Sequence, residues 1–279
     1  MKKLLLWPLL ICLIAFFGCD RVEIDFFQLG PFRLMALVID QPEVDATQEN
    51  TVSLTPWISD IEAQGRTLTV NIRGCLDPGI GLGIEPQCDA DNPTTQTIDY
   101  ADYNTENLES SLYTGAMPSV DITIPADLLA GLPQAQQEEG VDYLIVCEFE
   151  AGTEVFRSFK RVRLSTNSQQ DTNPIIETIL INGQVSSDGI PDGAQIDFTI
   201  DPNTPPQKYE RLNDQGQTVE RTEEYLMTWF VYGGFLSFSR TEPDLSNEFT
   251  LDETLGNQTL VVGVLRDGRA GSDVMMAGQ

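Results

Sequence analysis

The chain of 279 residues carries 16 Lys and Arg against 43 Asp and Glu, a net charge of −27, and no histidine. The missing imidazole excludes a Ser-His-Asp triad, a Cys-His pair and histidine-ligated zinc. The acidity excludes a nucleic-acid partner, whose binding rests on phosphate neutralisation by Lys and Arg, and the length suits two domains.

Lys2 and Lys3 precede an apolar run from Leu4 to Phe17, too short for a spanning helix of about 20 residues. A charged start, a short apolar core and a small residue, Gly18, before a cysteine resemble bacterial lipoprotein signals. Residues 1–18 are read as the signal peptide, Cys19 as the lipidated first residue, and 19–31 as a tether. An ordinary secretory signal with Cys19 incidental is the alternative. The implied partner is a bacterial membrane, reached through acyl chains that each bury many methylenes at about 0.8 kcal/mol apiece. The implied place is the cell envelope, with the outer membrane or surface preferred. Asp20 resembles an inner-membrane retention signal, but that rule differs between bacterial groups.

From residue 32 onward, period-two alternation dominates. Leu68, Val70 and Ile72 share one strand face, as do Val120, Ile122 and Ile124, and later Ile196, Phe198 and Ile200. "DYLIVCEFE" and "EVFRSFKRVRL", separated by "AGT", read as a hairpin, and "TLVVGVLRD" suits a central strand. Helical signals are confined to "PADLLAGLP", with Pro125 at its start and Gly131 near its end, and a possible extension over 134–140. Many short strands with Gly and Pro turns predict an all-β sandwich protein. "STNSQQDTNP" lacks large apolar residues and predicts a linker at 166–173, between a domain at 32–165 and another at 174–279. The two domains are expected to reorient unless their facing surfaces pack. Trp229 is the candidate core aromatic of domain two.

Export permits disulfides. Cys75 and Cys88 flank the Gly- and Pro-rich "LDPGIGLGIEPQ" and are expected to close that loop, leaving Cys147 buried and reduced beside Tyr143, Ile145 and Phe149. A Cys75–Cys147 bridge between sheets is the alternative.

Five stretches in order, "FRLMALVIDQPEVDA", "CLDPGIGLG…C", "TIPADLLAGLP", "NPIIETILING" and "VVGVLRDGRAG", resemble uncharacterised envelope lipoproteins of myxobacteria and their relatives. The resemblance implies a lipid-anchored pair of tandem immunoglobulin-like β-sandwiches and no known activity.

Candidate chemistry is sparse. Calcium takes six to eight oxygens, and Asp-rich turns supply them. Asp89, Asp91 and Asn92 fall in one such loop, Asp188 and Asp192 in another, and neither has the EF-hand spacing. The same residues also populate turns for backbone reasons alone. Glu223–Glu224, Glu138–Glu139 and Asp89 with Asp91 are the carboxylate pairs a glycan hydrolase would need. Lys160, Arg161 and Arg163 are expected to balance neighbouring acids. The expected role is non-enzymatic: adhesion, binding of an envelope protein or glycan, or structure, with no cofactor. A carboxylate-dependent glycan hydrolase and a passive spacer are the alternatives. Ligand surfaces are expected on end loops, including the Cys75 to Cys88 loop and the Arg266 to Gly271 turn.

Overall fold

The computed structural model describes residues 26–278 except 65, 80–83, 90, 92–94, 106–107, 109–110, 186–187 and 214, with the backbone alone of 98–102 and 212. The first half contains β1 (Arg33–Ile39), β2 (Glu43–Asp45), β3 (Asn50–Ser59), β4 (Thr67–Leu76), β5 (Gln96–Asn104), β6 (Thr114–Ala116), β7 (Val120–Ile124), the short helix α1 (Gln134–Glu139), β8 (Val141–Ala151) and β9 (Glu154–Ser165). The second half contains β10 (Ile176–Ile181), β11 (Gln195–Ile200), β12 (Lys208–Leu212), β13 (Thr218–Thr222), β14 (Leu226–Tyr232), β15 (Gly234–Leu236), β16 (Arg240–Thr241), β17 (Asn247–Leu251), β18 (Leu260–Arg266) and β19 (Ser272–Ala277).

Each half is a sandwich of two sheets. In the first, β3 pairs with β1 on one side and with β6 and β7 on the other, and this sheet faces the five-stranded sheet β2-β9-β8-β4-β5. Alternation decides what meets between them. Ile39, Leu54 and Ile122 from one sheet pack against Leu68, Val70, Ile72, Ile145 and Phe149 from the other. In the second, β10-β11-β17-β15 covers β16-β14-β18-β19, with Ile179, Ile196, Phe198 and Phe249 against Met227, Trp229, Val261 and Leu265. The chain is therefore all-β in two sandwiches, and the hairpin β12–β13 stands apart as a separate two-stranded ribbon.

β8 and β18 are buried on both faces, which is why their apolar runs are nearly continuous. One face of β8, with Tyr143, Ile145 and Cys147, enters the first core; the other, with Leu144 and Val146, lies under Cys75 and Cys88. Those two cysteines are bonded, with Cα atoms 5.7 Å apart. Cys147 is a free, buried thiol, and burial pushes its pKa up to about 12. We therefore expect a Cys12→Ala, Cys19→Ala variant, which keeps Cys75, Cys88 and Cys147, to leave a thiol reagent such as DTNB unreacted when native. Unfolding it without a reductant should release one thiol per chain, from Cys147. A fast native reaction, or two thiols released, would contradict this arrangement.

The sandwiches do not swing freely, because their facing sheets pack. The second face of β1, with Met35 and Ala36, meets Phe230, Leu260, Val262, Val264 and Val274 of the second sandwich. The four sheets thus form one stack with three apolar layers. The connection at 166–175 is braced on both sides. Asn173 donates to the carbonyl of Ile39 and accepts the amide of Ser272.

Two expectations are corrected. Residues 26–31, read as part of the tether, are seated in the seam. Leu29 N–H donates to Val231 O at 2.7 Å, and the Phe27 ring lies 5.8 Å from that of Phe230. The apolar side chains Phe27 and Leu29 alternate into the layer that β14 and β18 leave open. The helix begins after Pro133, not at Pro125: 126–131 form successive turns, with Asp127 at φ 58° and Gly131 at φ 99°, conformations that break helical propagation.

Candidate functional site

Five charged side chains from distant segments converge beside the seam. Glu43 arrives on β2, which pairs in parallel with the end of β9. Asp171 lies in the connection between the sandwiches, Glu223 follows β13, and Asp267 and Arg269 belong to the β18–β19 turn. That turn is built locally. Asp267 Oδ1 accepts the Arg269 N–H at 2.8 Å, Gly268 takes a φ of +80°, and Asp267 N–H reaches Gly271 O at 3.4 Å. The result directs Arg269 inward, its guanidinium 4.5 Å above the Tyr209 ring on β12. An alanine methyl at Gly271 would stand 2.0 Å from Asp267 Oδ2, so only glycine permits this close approach.

Arg269 is the hub. Its Nη2 lies 2.6 Å from Glu43 Oε2, and its Nη1 lies 3.3 Å from both Asp171 Oδ1 and Glu223 Oε1. Glu43 also accepts from Ser165 Oγ at 2.5 Å and from the Asp171 amide at 3.0 Å. Glu223 Oε2 accepts the Gln207 amide at 2.8 Å. Little solvent reaches the acids: Glu43 is 3% exposed, Asp171 4%, Glu223 5% and Asp267 1%.

Burial pushes the Asp171 carboxyl well above the usual range, the Asp267 charge adds to the rise, and Arg269 opposes it. Burial likewise raises Asp267 to about 6, against the pull of the Arg269 amide. Lys160, whose Nζ donates to Ser272 Oγ at 2.9 Å, is lowered to about 8 by burial, with Asp267 opposing the fall. Burial would depress the Arg269 guanidinium, but Asp171, Glu43 and Glu223 outweigh it. Carboxylates this close can exchange a proton or share a cation. The acids lie beneath Arg269 and the Tyr209 ring, beside a cleft lined by Asp171, Tyr209, Gly268 and Arg269.

The residues singled out from sequence lie elsewhere. Cys19 and Asn92 are outside the described residues. Asp89 is exposed, and its Oδ1 accepts the Asp91 amide at 3.0 Å. Asp192 accepts the Leu251 amide at 2.9 Å, and Asp188 is exposed. Among the described residues, the one group of three acids close enough to hold a metal ion is Asp171, Glu223 and Asp267. Of the sequence pairs, Glu223 enters it and Glu224 points to solvent. Arg161 pairs with Asp77 at 2.6 Å and Arg163 with Asp142 at 3.0 Å, while Lys160 turns toward the seam. The Arg266 to Gly271 turn, expected as a free loop, is folded into the seam, because Asp267 and Gly271 are buried there and Gly268 alone is exposed. The cluster escaped sequence reading because its members are up to 226 positions apart. The legible trace was the Asp-Gly-Arg-Ala-Gly turn itself.

No protein-family model matches the chain, and no curated protein matches it. Among solved structures, it is similar to trypsin-activated alpha-2-macroglobulin from Escherichia coli at 9% identity, over 88% of this chain and 17% of that one, with a TM-score of 0.27. The elastase-activated form of the Escherichia coli protein gives 12% identity over 90% and 22%, with a TM-score of 0.23. A chimeric titin Z1Z2 carrying a decorin peptide gives 14% over 88% and 96%, with a TM-score of 0.20. The chain spans about a fifth of the macroglobulin's length. With TM-scores this low, the fold rests on the sheets described above.

Proposed function

We propose that this chain is a lipid-anchored protein of the bacterial cell envelope with a non-enzymatic binding or structural role. The observation that carries the reading is the packed stack. Apolar side chains pack both sandwich interiors and the layer between them, so a protein or glycan partner would meet outer surfaces, loops and the β12–β13 ribbon. Three of the four acids that converge, Glu43, Asp171 and Glu223, are paired with Arg269 and buried, which favours structure over hydrolysis. No helix among the described residues is long and apolar enough to cross a membrane. The proposed attachment is a lipid on Cys19, which the apolar run and Gly18 before it support. Seven residue steps separate Cys19 from Phe26, so the seam would lie within roughly 25 Å of the lipid. That is a short leash, and the excess of acid would hold the body off anionic headgroups.

The test is fractionation. The wild-type chain should sediment with membranes and yield an acylated N-terminal cysteine by mass spectrometry. Cys19→Ala should move it to the soluble fraction. Wild-type protein that is soluble and begins at another residue would refute the anchor. Crosslinking in intact envelopes, followed by mass spectrometry, should recover a reproducible protein or glycan partner on the ribbon or the end loops.

A further inference from the structure

We propose that Asp171, Glu223 and Asp267 bind a divalent cation of the calcium class in the seam between the sandwiches. One carboxylate oxygen from each lies within 4.8 Å of the others, and all three residues are buried. Two of their oxygens, Asp171 Oδ1 and Asp267 Oδ2, accept no hydrogen bond. A buried carboxylate oxygen left without a donor is costly. Asp171 Oδ1 at least has the Arg269 guanidinium at 3.3 Å, whereas Asp267 Oδ2, packed against Gly271, has no ion pair within 4 Å among the described residues. A cation among the three carboxylates supplies what the orphaned oxygens lack.

Charge leads to the same result. Glu43, Asp171, Glu223 and Asp267 contribute four negative charges when ionised. Arg269 and Lys160 return two, leaving a deficit that one divalent ion fills. The donors are all oxygen, the chain has no histidine, and its one free described thiol is in the first core, so the site suits a hard cation over zinc or copper. The ligands come from the connection between the sandwiches, from the segment after the ribbon and from the β18–β19 turn. A bound ion therefore cross-links three segments and stiffens the junction. This does not depend on how the chain is attached to a membrane.

The experiment uses the full-length chain in detergent, stripped with EDTA. Terbium is the probe, excited through tyrosine, since the Tyr209 ring adjoins the Arg269 hub. We expect one saturable terbium equivalent, displaced by calcium. At a hundredfold excess over Kd, calcium should raise Tm by about 5–10 °C at constant ionic strength. Asp267→Asn, which keeps an oxygen for the Arg269 amide, should abolish both responses, and Asp171→Asn should weaken them at least tenfold. Asp192→Asn and Asp89→Asn, in the other acidic loops, should leave both unchanged. Native tryptophan fluorescence shows that each variant folds. A calcium response that survives in Asp267→Asn would overturn the proposal. So would a stability that ignores calcium and climbs as pH falls from 8 toward 4, since protons would then be neutralising the raised carboxyls.

Discussion

Arg269→Ala is expected to destabilise the protein by about 3–5 kcal/mol, the usual cost of removing one partner from a buried ion network. Glu43, Asp171 and Glu223 keep their burial and lose the guanidinium that touches each of them. Arg269 is itself mostly buried, at 17% side-chain exposure, so solvent screens little of the loss. Because a domain is stable by only about 5–15 kcal/mol, the change should be plain in a urea titration. The midpoint should fall sharply. Arg269→Lys should recover only part of it, since one ammonium lacks the planar fork that reaches Glu43 through Nη2 and the other two acids through Nη1. Adding Glu43→Gln to Arg269→Ala should restore some stability, because it removes one of the stranded charges. A midpoint within experimental error of wild type would show that solvent reaches this cluster after all.

Trp229→Ala is expected to cost a similar amount, about 3–5 kcal/mol, for a different reason. Trp229 is 1% exposed in the second core, with its ring 5.9 Å from that of Phe198 at a steep angle. Truncation leaves a cavity that the two covering sheets close only in part. It also strands the Thr241 hydroxyl, which accepts from Trp229 Nε1 at 2.8 Å and is itself buried. Trp229→Phe separates the two effects: most of the packing survives and the hydrogen bond does not, so its cost should be the smaller. The second sandwich has no disulfide among its residues, which leaves packing to hold it. A heat-denaturation scan of the alanine variant should show a large loss in Tm. A loss equivalent to less than about 1 kcal/mol would mean that the core collapses onto the gap far better than cores usually do.

Much of the strand pattern was legible because burial on one face writes a period of two. Leu68, Val70 and Ile72 were placed on the first core's face by alternation alone, and that is where they lie. The "AGT" break was legible as a hairpin because the chain reverses there through Gly152, at φ +66°. The helix start was misplaced because Pro125 looks like a start signal, while the left-handed Asp127 that stops propagation there leaves no mark in the sequence; the helix forms only in the stretch read as its extension, 134–140. The seam was invisible for a related reason. Met35 and Ala36 read as ordinary strand residues, and nothing local says that their second face meets another sheet and not water.

What the sequence by itself determined was the chemistry the chain can carry: its strands, its acidity and the absence of imidazole. These follow from residue identity and from neighbours one or two positions apart, where backbone geometry is fixed. Tertiary structure alone decided the docking of Phe27 and Leu29, the stacking of four sheets, and the meeting of Glu43, Asp171, Glu223 and Asp267 around Arg269. Charges drawn from four separate segments have no shared periodicity to reveal them. Their meeting depends on how two sandwiches close on each other, and buried carboxylates become costly enough to demand a partner only once that closure has removed the water.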